Sequence, residues 1–303
     1  MRAVRIAQID AFTARPFGGN PAGVVLDADG LSDEEMAAIA REMNLAETAY
    51  LLPTSRAGAD HRLRWFTPKM EVEFCGHATV ATVHAMLAGG RLGDPARETG
   101  RVTFDTLVGL LPVTVEQTHE GVTVIWLEPR LAELSECHVP LEPLRSALGL
   151  AVEDQDASLP VALTPDKDLV IPCRRLAALR GLRPAMQTLG DLGQAHGLRG
   201  VCVTTRETVE PTSTLHSRFF GPHVGIPEDP VTGSVHASLG VYAFTIEAIP
   251  RTDGIHRFVA EQGDSLGRPG RLTVEVTVGG GRPTRVRVGG QAVTVLEGTL
   301  FLP

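Results

Sequence analysis

Two segments of the chain are apolar around the whole circumference of a helix, whereas its other helix-like segments are apolar on one side only. These segments span residues 76–89 and 233–247, and small or apolar residues fill nearly every position in both. A helix without a polar face is buried inside a protein rather than laid on its surface. The pattern therefore predicts one central, buried helix in each half of the chain.

Alternation of polar and apolar residues dominates the remaining segments and predicts strands. In the first half the predicted strands cover residues 3–12, 23–27, 48–53, 62–67 and three segments within 100–127. In the second half they cover 199–205, 213–220, 257–262, 271–278, 284–289 and 292–302. Further helices are predicted at 33–43, 141–149 and 183–197, and Ser32 with Glu35 forms a capping box that opens the first of them.

Similar sequences precede the two buried helices. Each consists of an arginine, two aromatic residues, one variable residue and a proline: Arg64-Trp65-Phe66-Thr67-Pro68 and Arg218-Phe219-Phe220-Gly221-Pro222. Both lead through an acidic residue, Glu73 or Asp229, to a glycine at the start of the helix. This indicates an internal duplication, with one domain at 1–127 and another at 128–303. The strand near 292–303 is a candidate to return to the first domain.

A pseudo-symmetric pair of domains is expected to bring the two helix amino termini near each other across a cleft. Each terminus presents backbone N–H groups and the positive end of the helix dipole, so each favours an anion. Such a site suits a carboxylate, and it would stabilise the enolate-like charge that develops when a carbon acid loses its proton.

Composition narrows the class of protein. The chain has 303 residues, 43% hydrophobic and 21% charged, with a formal net charge of −8, which is typical of a globular protein without a nucleic-acid partner. No segment has the length of a membrane span, and the amino terminus lacks the apolar core of a signal peptide, so we expect a cytoplasmic protein with no membrane partner.

The reactive side chains narrow the chemistry further. Only Lys69 and Lys167 supply lysine amines, which weakens any Schiff-base mechanism. The four cysteines are widely spaced and form no Cys-x-x-Cys pair, so reduced thiols are expected: Cys75, Cys137, Cys173 and Cys202.

The chain resembles a known family from end to end. The resemblance to the phenazine-biosynthesis PhzF-like isomerases rests on four motifs in order: Asp10-Ala11-Phe12 with Gly19-Asn20-Pro21-Ala22-Gly23, residues 41–48, residues 75–79 and residues 228–234. It implies an α+β fold of the diaminopimelate epimerase and proline racemase type. Each domain would be a curved mixed sheet wrapped around its central buried helix, and the protein would be a homodimer.

The resemblance also implies a function and a set of site residues. The family's best-understood reaction is a proton shift within a cyclic carboxylic acid without a metal or organic cofactor. Carried over by motif, Glu47 is the acid/base, His77 and Asp229 join it as catalytic residues, and the amides of Gly76 and Gly233 bind the acid group. The remaining substrate-binding residues would be Asn20, Cys75, Thr232 and Ser234.

Other interpretations of these residues stay open. Cys75 and Thr232 stand where racemases of this fold carry two cysteines, so an amino- or imino-acid racemase, epimerase or dehydratase using Cys75 is an alternative. A non-catalytic protein that binds a carboxylate metabolite is another.

Each of these residues could also have a purely structural role. Glu47 could close a helix at the surface, Cys75 could serve packing alone, and His77 could bond the backbone. Asp229 could fix a turn and Ser234 a helix start.

A metal and a dinucleotide are the two ligands that we do not expect. Cys75, His77 and His84 lie on one stretch, but the first two are too close in sequence to approach an ion from opposite sides, and no second cluster follows. Residues 18–23 do not match a dinucleotide fingerprint, because a strand rather than a helix follows them.

Overall fold

The computed structural model describes residues 2–92, 100–118 and 121–303, and its chain divides into two units. Residues 1–128 and 289–303 form the first unit, and residues 129–288 form the second. Two residues of the predicted three-strand segment at 100–127, residues 119–120, lie outside the described part of the chain.

The first unit contains nine strands and two helices within the residues that the structure describes. Its strands are β1 (Arg2–Ala11), β2 (Asn20–Val25), β3 (Glu47–Leu52), β4 (His61–Phe66), β5 (Glu71–Val72), β6 (Arg101–Thr106), β7 (Gly109–Gln117), β8 (Thr123–Leu127) and β18 (Ala292–Leu302). Its helices are α1 (Asp33–Met43) and α2 (Gly76–Ala88). Neighbouring strands follow the order β18-β1-β2-β3-β4-β6-β7-β8, in which β2–β3 and β4–β6 are parallel and the other pairs antiparallel.

The second unit holds the remaining elements. Its strands are β9 (Ser135–Glu136), β10 (Ala162–Leu163), β11 (Asp168–Pro172), β12 (Gly200–Thr205), β13 (Ser213–Gly221), β14 (Ile226–Asp229), β15 (Gly254–Gln262), β16 (Gly270–Gly279) and β17 (Arg282–Gly290). Its α-helices are α3 (Leu141–Leu148), α4 (Leu176–Gly181), α5 (Met186–His196) and α6 (Gly233–Thr245).

Strand pairing repeats between the units. In the second unit the order is β9-β10-β11-β12-β13-β15-β16, with β11–β12 and β13–β15 parallel and the rest antiparallel. This is the first unit's sequence of orientations, and the short strands β5 and β14 take the same place beside β4 and β13. The predicted α+β class with a mixed sheet in each half is therefore confirmed.

The central helices are buried as the hydrophobic pattern predicts. Helix α2 packs on β1, β2, β3, β8 and β18, and its hydroxyl groups are satisfied within the helix. Thr79 Oγ1 donates to the carbonyl of Cys75 at 2.6 Å, and Thr82 Oγ1 donates to the carbonyl of Ala78 at 2.7 Å. Helix α6 packs on β16. No polar face is left on either helix to require solvent.

The repeated Arg-aromatic-aromatic motif has a structural role in each unit. Arg64 donates two hydrogen bonds of 2.7 Å to Glu71 on β5 and lies over the ring of Phe66. Arg218 donates two bonds of 2.8 Å to Glu228 on β14 and lies over the ring of Phe220. A bidentate arginine–carboxylate pair is both strong and geometrically specific. Each pair therefore fixes the hairpin that leads into the central helix.

Most predicted elements match the structure, and the elements that the sequence pattern did not predict are mainly short. The capping box is confirmed, because Ser32 N donates to Glu35 Oε2 at 2.8 Å and Glu35 N donates to Ser32 Oγ at 3.2 Å. The helix predicted at 183–197 starts later, at Met186, and a separate helix α4 precedes it. The sequence pattern missed β5, β9, β10, β11 and β14, since strands of two to five residues show too little alternation to be recognised.

In the described part of the chain, no helix combines the length and apolar character required to cross a membrane. All four cysteines are free thiols.

Replacing Gly240 in α6 tests how tightly the second unit's central helix is packed. A Cβ at this position would lie 3.0, 3.2 and 3.3 Å from methyl groups of Val274, Val286 and Val276. We expect Gly240→Ala to lower the free energy of unfolding by about 1–2 kcal/mol, because overpacking outweighs the gain in helix propensity. Urea denaturation measures the change.

Gly190 in α5 is the matched control. Its added Cβ would make ordinary contacts of 3.6 Å or more, so Gly190→Ala should be neutral or stabilising by up to about 1 kcal/mol. Equal effects of the two substitutions would show that the contacts around Gly240 do not limit the packing of α6.

Candidate active site

Three predicted site residues of the first unit meet at the start of helix α2. Glu47 is the first residue of β3, Cys75 is the N-cap of α2, and His77 lies in its first turn. One ligand-type atom from each residue lies within 4.8 Å of the others. Glu47 Oε2 is 3.3 Å from His77 Nε2, and Cys75 Sγ is 3.4 Å from His77 Nδ1. The structure thus brings a carboxyl, an imidazole and a thiol together in that order.

Local backbone packing fixes these positions. Glu47 is paired with Ala22 across the parallel β2–β3 ladder, and the next pair along is Gly23 with Thr48. A Cβ on Gly23 would lie 2.7 Å from Thr48 Oγ1, so only glycine permits this close approach. The Cys75 carbonyl accepts from both the amide and the hydroxyl of Thr79, which holds the start of α2 in place.

His77 is uncharged at neutral pH. Burial lowers the pKa of its imidazole to about 4, because the charged form loses its hydration. The 3.3 Å contact with Glu47 therefore joins a carboxyl group to a neutral imidazole and is not an ion pair. A neutral imidazole has one donor and one acceptor nitrogen, so it can donate to only one of its two neighbours.

The Asn20 motif has a structural explanation of its own. Asn20 begins β2 and is fully buried, and Gly19 before it adopts φ +53° with no space for a side chain, since a Cβ would lie 2.0 Å from the Ala11 carbonyl oxygen. The buried Asp10 accepts a 2.7 Å hydrogen bond from the amide of Phe17 and so closes the same turn.

In the second unit, Asp229 and Thr232 contact each other directly, and a third residue that the sequence did not identify bonds to both. Thr232 Oγ1 donates to Asp229 Oδ2 at 2.6 Å. Gln262, which is 1% exposed, donates to the Asp229 carbonyl at 2.7 Å and accepts from the Thr232 amide at 3.1 Å. Gln262 therefore fixes the segment that leads into α6, at whose start Gly233 lies.

Ser234 lies beside a charged pair. Arg199 donates to Ser234 Oγ at 3.0 Å and to both carboxylate oxygens of the buried Asp168, with 2.8 Å between Arg199 Nε and Asp168 Oδ1. Burial acts to lower the pKa of Arg199, but the hydrogen bond to Asp168 and the charges of Asp166 and Asp229 outweigh it, so the pKa is raised. An arginine that stays charged, and whose charge is paired with Asp168, therefore lies beside the first turn of α6.

The strand registers show which residues occupy equivalent places in the two units. In the first unit Ala49 faces Trp65 and Tyr50 faces Arg64, and in the second Cys202 faces Phe219 and Val203 faces Arg218. Glu47 lies two residues before Ala49 on β3, and Gly200 lies two residues before Cys202 on β12. Glu47 and Gly200 therefore occupy equivalent positions.

No side chain can replace Gly200. A Cβ there would lie 2.3 Å from the ring of Phe219. The second unit therefore has neither a carboxylate in the place of Glu47 nor, with Thr232 as the N-cap of α6, a thiol in the place of Cys75. The two units share a fold but not a set of reactive groups.

Sequence reasoning singled out the residues at both helix starts but not all of their partners. It did not identify Gln262, Arg199 or Asp168, which support Asp229, Thr232 and Ser234. These partners lie on other strands or just before them, and no local motif marks a residue that acts at such a distance. His84, on the same stretch of sequence as Cys75 and His77, instead contacts Thr294 Oγ1 at 3.2 Å.

Comparison with known proteins identifies relatives along the whole chain. A family model described as "Phenazine biosynthesis-like protein" matches residues 9–298. An uncharacterized isomerase of Pseudomonas aeruginosa is 39% identical over 300 residues, which cover 98% of either chain. An uncharacterized isomerase of Clostridium acetobutylicum is 34% identical over 305 residues, which cover 100% of this chain and 99% of the other.

Solved structures show the same relationship. A PhzF-family phenazine biosynthesis protein from Bacillus anthracis matches over 100% of both chains, with a TM-score of 0.90 and 32% identity. A hydroxyproline epimerase from Agrobacterium vitis shares the fold with a TM-score of 0.61 at 13% identity, over 99% of this chain and 91% of the epimerase. The predicted resemblance and fold class are confirmed.

The buried histidines make stability depend on pH in a predictable direction. Burial also lowers the pKa of His236 in α6 to about 4, from 6.5. As the pH falls, the two imidazoles become protonated in the unfolded chain near pH 6.5 and in the folded chain only near pH 4. The free energy of unfolding is therefore highest, as far as these two groups determine it, above pH 6.5 and decreases as the pH falls towards 4. Each of His77 and His236 should account for about 3 kcal/mol of this loss.

The test is urea unfolding between pH 7 and 4 for the wild type and His236→Asn. Asparagine can still donate to the Thr232 carbonyl, which His236 Nδ1 contacts at 2.8 Å, but it does not titrate. We expect a shallower loss of stability with acid in this variant and an unchanged slope for the exposed control His196→Asn. Parallel curves for His236→Asn and the wild type would contradict the assignment.

Proposed function

The chain belongs to the phenazine biosynthesis-like (PhzC-PhzF) protein family, and we propose that it is an isomerase that moves a proton within a small carboxylic acid, with Glu47 as the acid/base. The relatives reported above carry the name isomerase, which supports the reaction class. In this proposal the substrate is cyclic, and the proton shift requires no cofactor.

The contact series Glu47–His77–Cys75 is the observation that carries the proposal. Because the imidazole is neutral, only two arrangements place protons in both contacts. In the first, the Cys75 thiol donates to Nδ1 and Nε2–H donates to an ionised Glu47. In the second, a protonated Glu47 donates to Nε2 and Nδ1–H donates to a Cys75 thiolate. The tautomer of His77 thus decides which neighbour is the base.

Intrinsic acidity favours the first arrangement. Both arrangements hold the same number of protons, so they differ in whether the carboxyl or the thiol is ionised. A glutamic acid is more acidic than a cysteine by about 4 pKa units, which corresponds to about 6 kcal/mol. The local environment would have to reverse that difference before Cys75 became the base. Glu47 is therefore the stronger candidate.

The proposed reaction follows from this arrangement. The Glu47 carboxylate takes a proton from a substrate carbon, and the electron pair of the broken C–H bond delocalises towards the acid group. The protonated Glu47 then returns the proton to a second carbon on the same face of the substrate. His77 orients the carboxyl through Nε2–H, and the amino terminus of α2 with the Gly76 amide stabilises negative charge.

The difference between the two units supports a single-base mechanism. A racemase that works on both faces of its substrate needs a second base, and the second unit carries Gly200 and Thr232 where the first carries Glu47 and Cys75. A threonine hydroxyl is not a base at neutral pH. We therefore propose a proton shift on one face.

The second unit contributes binding groups in this proposal. Asp229 and Thr232 are held by Gln262, and Ser234 Oγ accepts a hydrogen bond from Arg199, which is paired with Asp168. Together with the amide of Gly233, these residues suit a carboxylate or hydroxyl group of the substrate. We retain Thr232, Gly233 and Ser234 as substrate-binding residues and Asp229 as a catalytic residue of this proposal.

A second candidate function rests on the same thiol. The 3.4 Å contact between Cys75 Sγ and His77 Nδ1 places an imidazole beside the thiol, so a racemase, epimerase or dehydratase of amino or imino acids is the alternative.

Glu47→Gln tests the leading proposal. We expect it to slow hydrogen exchange at substrate carbon by at least about 100-fold, because the amide cannot accept the proton. Proton NMR in deuterated water measures this exchange across a panel of cyclic and linear carboxylic acids. Glu42→Gln, at an exposed position on α1, is the matched control and should exchange normally. Full exchange in Glu47→Gln would remove the mechanism.

Cys75→Ala separates the two candidate functions in the same assay. If Glu47 is the base, this variant keeps most of the exchange, since only the acceptor side of His77 changes. If Cys75 is the base, exchange disappears and alkylation of the wild-type thiol has the same effect. Exchange with none of the acids, in an intact wild-type protein, would instead favour a protein that binds a carboxylate without reacting it.

A further inference from the structure

The hydroxyl of Ser234, in the first turn of α6, accepts a hydrogen bond that fixes its direction. Arg199 Nη2 donates to Ser234 Oγ at 3.0 Å. A guanidinium group has five N–H donors and no acceptor, so the hydroxyl oxygen has to be the acceptor in this contact. The hydroxyl proton of Ser234 is therefore directed away from Arg199 and is left for a different acceptor.

Arg199 is itself held in one orientation. Its Nε donates to Asp168 Oδ1 at 2.8 Å and its Nη2 donates to Asp168 Oδ2, while the guanidinium carbon lies 5.9 Å from the centre of the Phe219 ring. Nη2 carries two hydrogens, so one bonds Asp168 and the second bonds Ser234. A bidentate arginine–carboxylate pair is geometrically specific, and it therefore aims the second N–H at the hydroxyl.

The strand register brings this pair together. Asp168 begins β11 and faces Gly200 across the parallel β11–β12 ladder, and Arg199 directly precedes Gly200. The Arg199 amide also donates to the Lys167 carbonyl at 2.8 Å. Since the charge of Arg199 is paired with that of the buried Asp168, the arginine acts on Ser234 through the direction of a hydrogen bond rather than through its net charge.

The equivalent position in the first unit has the opposite polarity. His77 is the second residue of α2 and Ser234 the second residue of α6. A side chain from the start of the equivalent strand contacts each of them: Glu47 contacts His77, and Arg199, directly before Gly200, contacts Ser234. A carboxyl group in the first unit is thus replaced by an obligatory donor in the second.

The N-cap residue of α6 leaves further donors at the same helix start. The Thr232 hydroxyl donates to Asp229 Oδ2 at 2.6 Å and accepts from Gln262 Nε2 at 3.1 Å, and it makes no capping bond to its own helix. The first N–H groups of a helix have no partner within the helix. The backbone amides of Gly233 and Ser234 therefore act as donors beside the Ser234 hydroxyl.

We propose that Arg199, oriented by Asp168, is a positioning residue that makes Ser234 a hydrogen-bond donor, and that this donor selects a carboxylate group of the substrate. The inference rests on the proposed function, because it names the group that binds at the start of α6. A carboxylate only accepts, so it can satisfy the hydroxyl and the amides together. An ammonium group only donates, and a primary amide donates through its nitrogen, so each would face a donor with another donor.

Binding of carboxylic acids and their primary carboxamides tests this selection. The full chain is titrated calorimetrically with the acids of the exchange panel and with the matching carboxamides. We expect the wild type to bind at least one acid about tenfold or more tightly than its carboxamide. Ser234→Ala should weaken binding of that acid by about 10- to 100-fold, as expected for a hydrogen bond to a charged group, and should change binding of the carboxamide much less.

Variants of Arg199 test whether it acts through Ser234. Arg199→Met should weaken acid binding about tenfold in the wild-type background and have little further effect in Ser234→Ala, since the hydroxyl that it orients is then absent. Arg199→Lys keeps a donor and should restore part of the affinity. In the double variant Arg199→Met with Asp168→Asn, no buried carboxylate is left unpaired, and it should bind the acid as weakly as Arg199→Met.

Arg257 provides the matched control. It donates to the buried Glu275 at 2.6 Å elsewhere in the second unit, so Arg257→Met also removes an arginine from a buried carboxylate. This variant should bind the acid as tightly as the wild type. Circular dichroism establishes that each variant is folded.

Three results would overturn the inference: additive losses of affinity from Arg199→Met and Ser234→Ala, an unchanged preference for the acid in folded Ser234→Ala, or no preference for any acid in the wild type. Acid binding with the expected variant effects but without hydrogen exchange would support the inference and count against the proposed function. Exchange that neither Arg199→Met nor Ser234→Ala alters would do the reverse.

Discussion

Each central helix lacks a polar side, and this constraint determines what surrounds it. A helix of this kind has to be covered by apolar groups all round, and a single flat layer of strands cannot do that. Helix α2 accordingly packs on five strands, while Thr79 and Thr82 satisfy their hydroxyls on the helix itself. Apart from His84, which contacts Thr294 Oγ1, the other polar side chains of α2 are at its start. Burial of the helix thus places the reactive side chains at its amino terminus, where the dipole favours an anion.

The two units repeat the residues that support the fold, whereas their reactive residues differ. Arg64 and Arg218 form nearly identical bidentate pairs on equivalent hairpins, and the strand orientations follow the same series in both units. The reactive positions differ, because Glu47 corresponds to Gly200, whose lack of a side chain is required by the ring of Phe219. The repeated motif is therefore a device for building the fold, and function has to be sought in the residues that do not repeat.

The sequence predicted the features that depend on periodicity or on local hydrogen bonds. Both central helices, helix α1 with its capping box and the longer strands follow from patterns within a few residues. Strand β11 was missed because five residues, all buried, show no alternation. Gln262 and Arg199 were missed for another reason: each acts on a helix start from a distant strand or its edge. The approach of Glu47 to His77 likewise depends on the β2–β3 register, which only the folded chain reveals.

Glu47, His77 and Cys75 suit a proton relay because they form a shielded, preorganised set of groups. In the relay, a neutral His77 links the carboxyl and the thiol, so the acidity of each neighbour decides where the base lies. An acid substrate that contacts Glu47 and the amino terminus of α2 would place its negative charge at the positive end of the helix dipole.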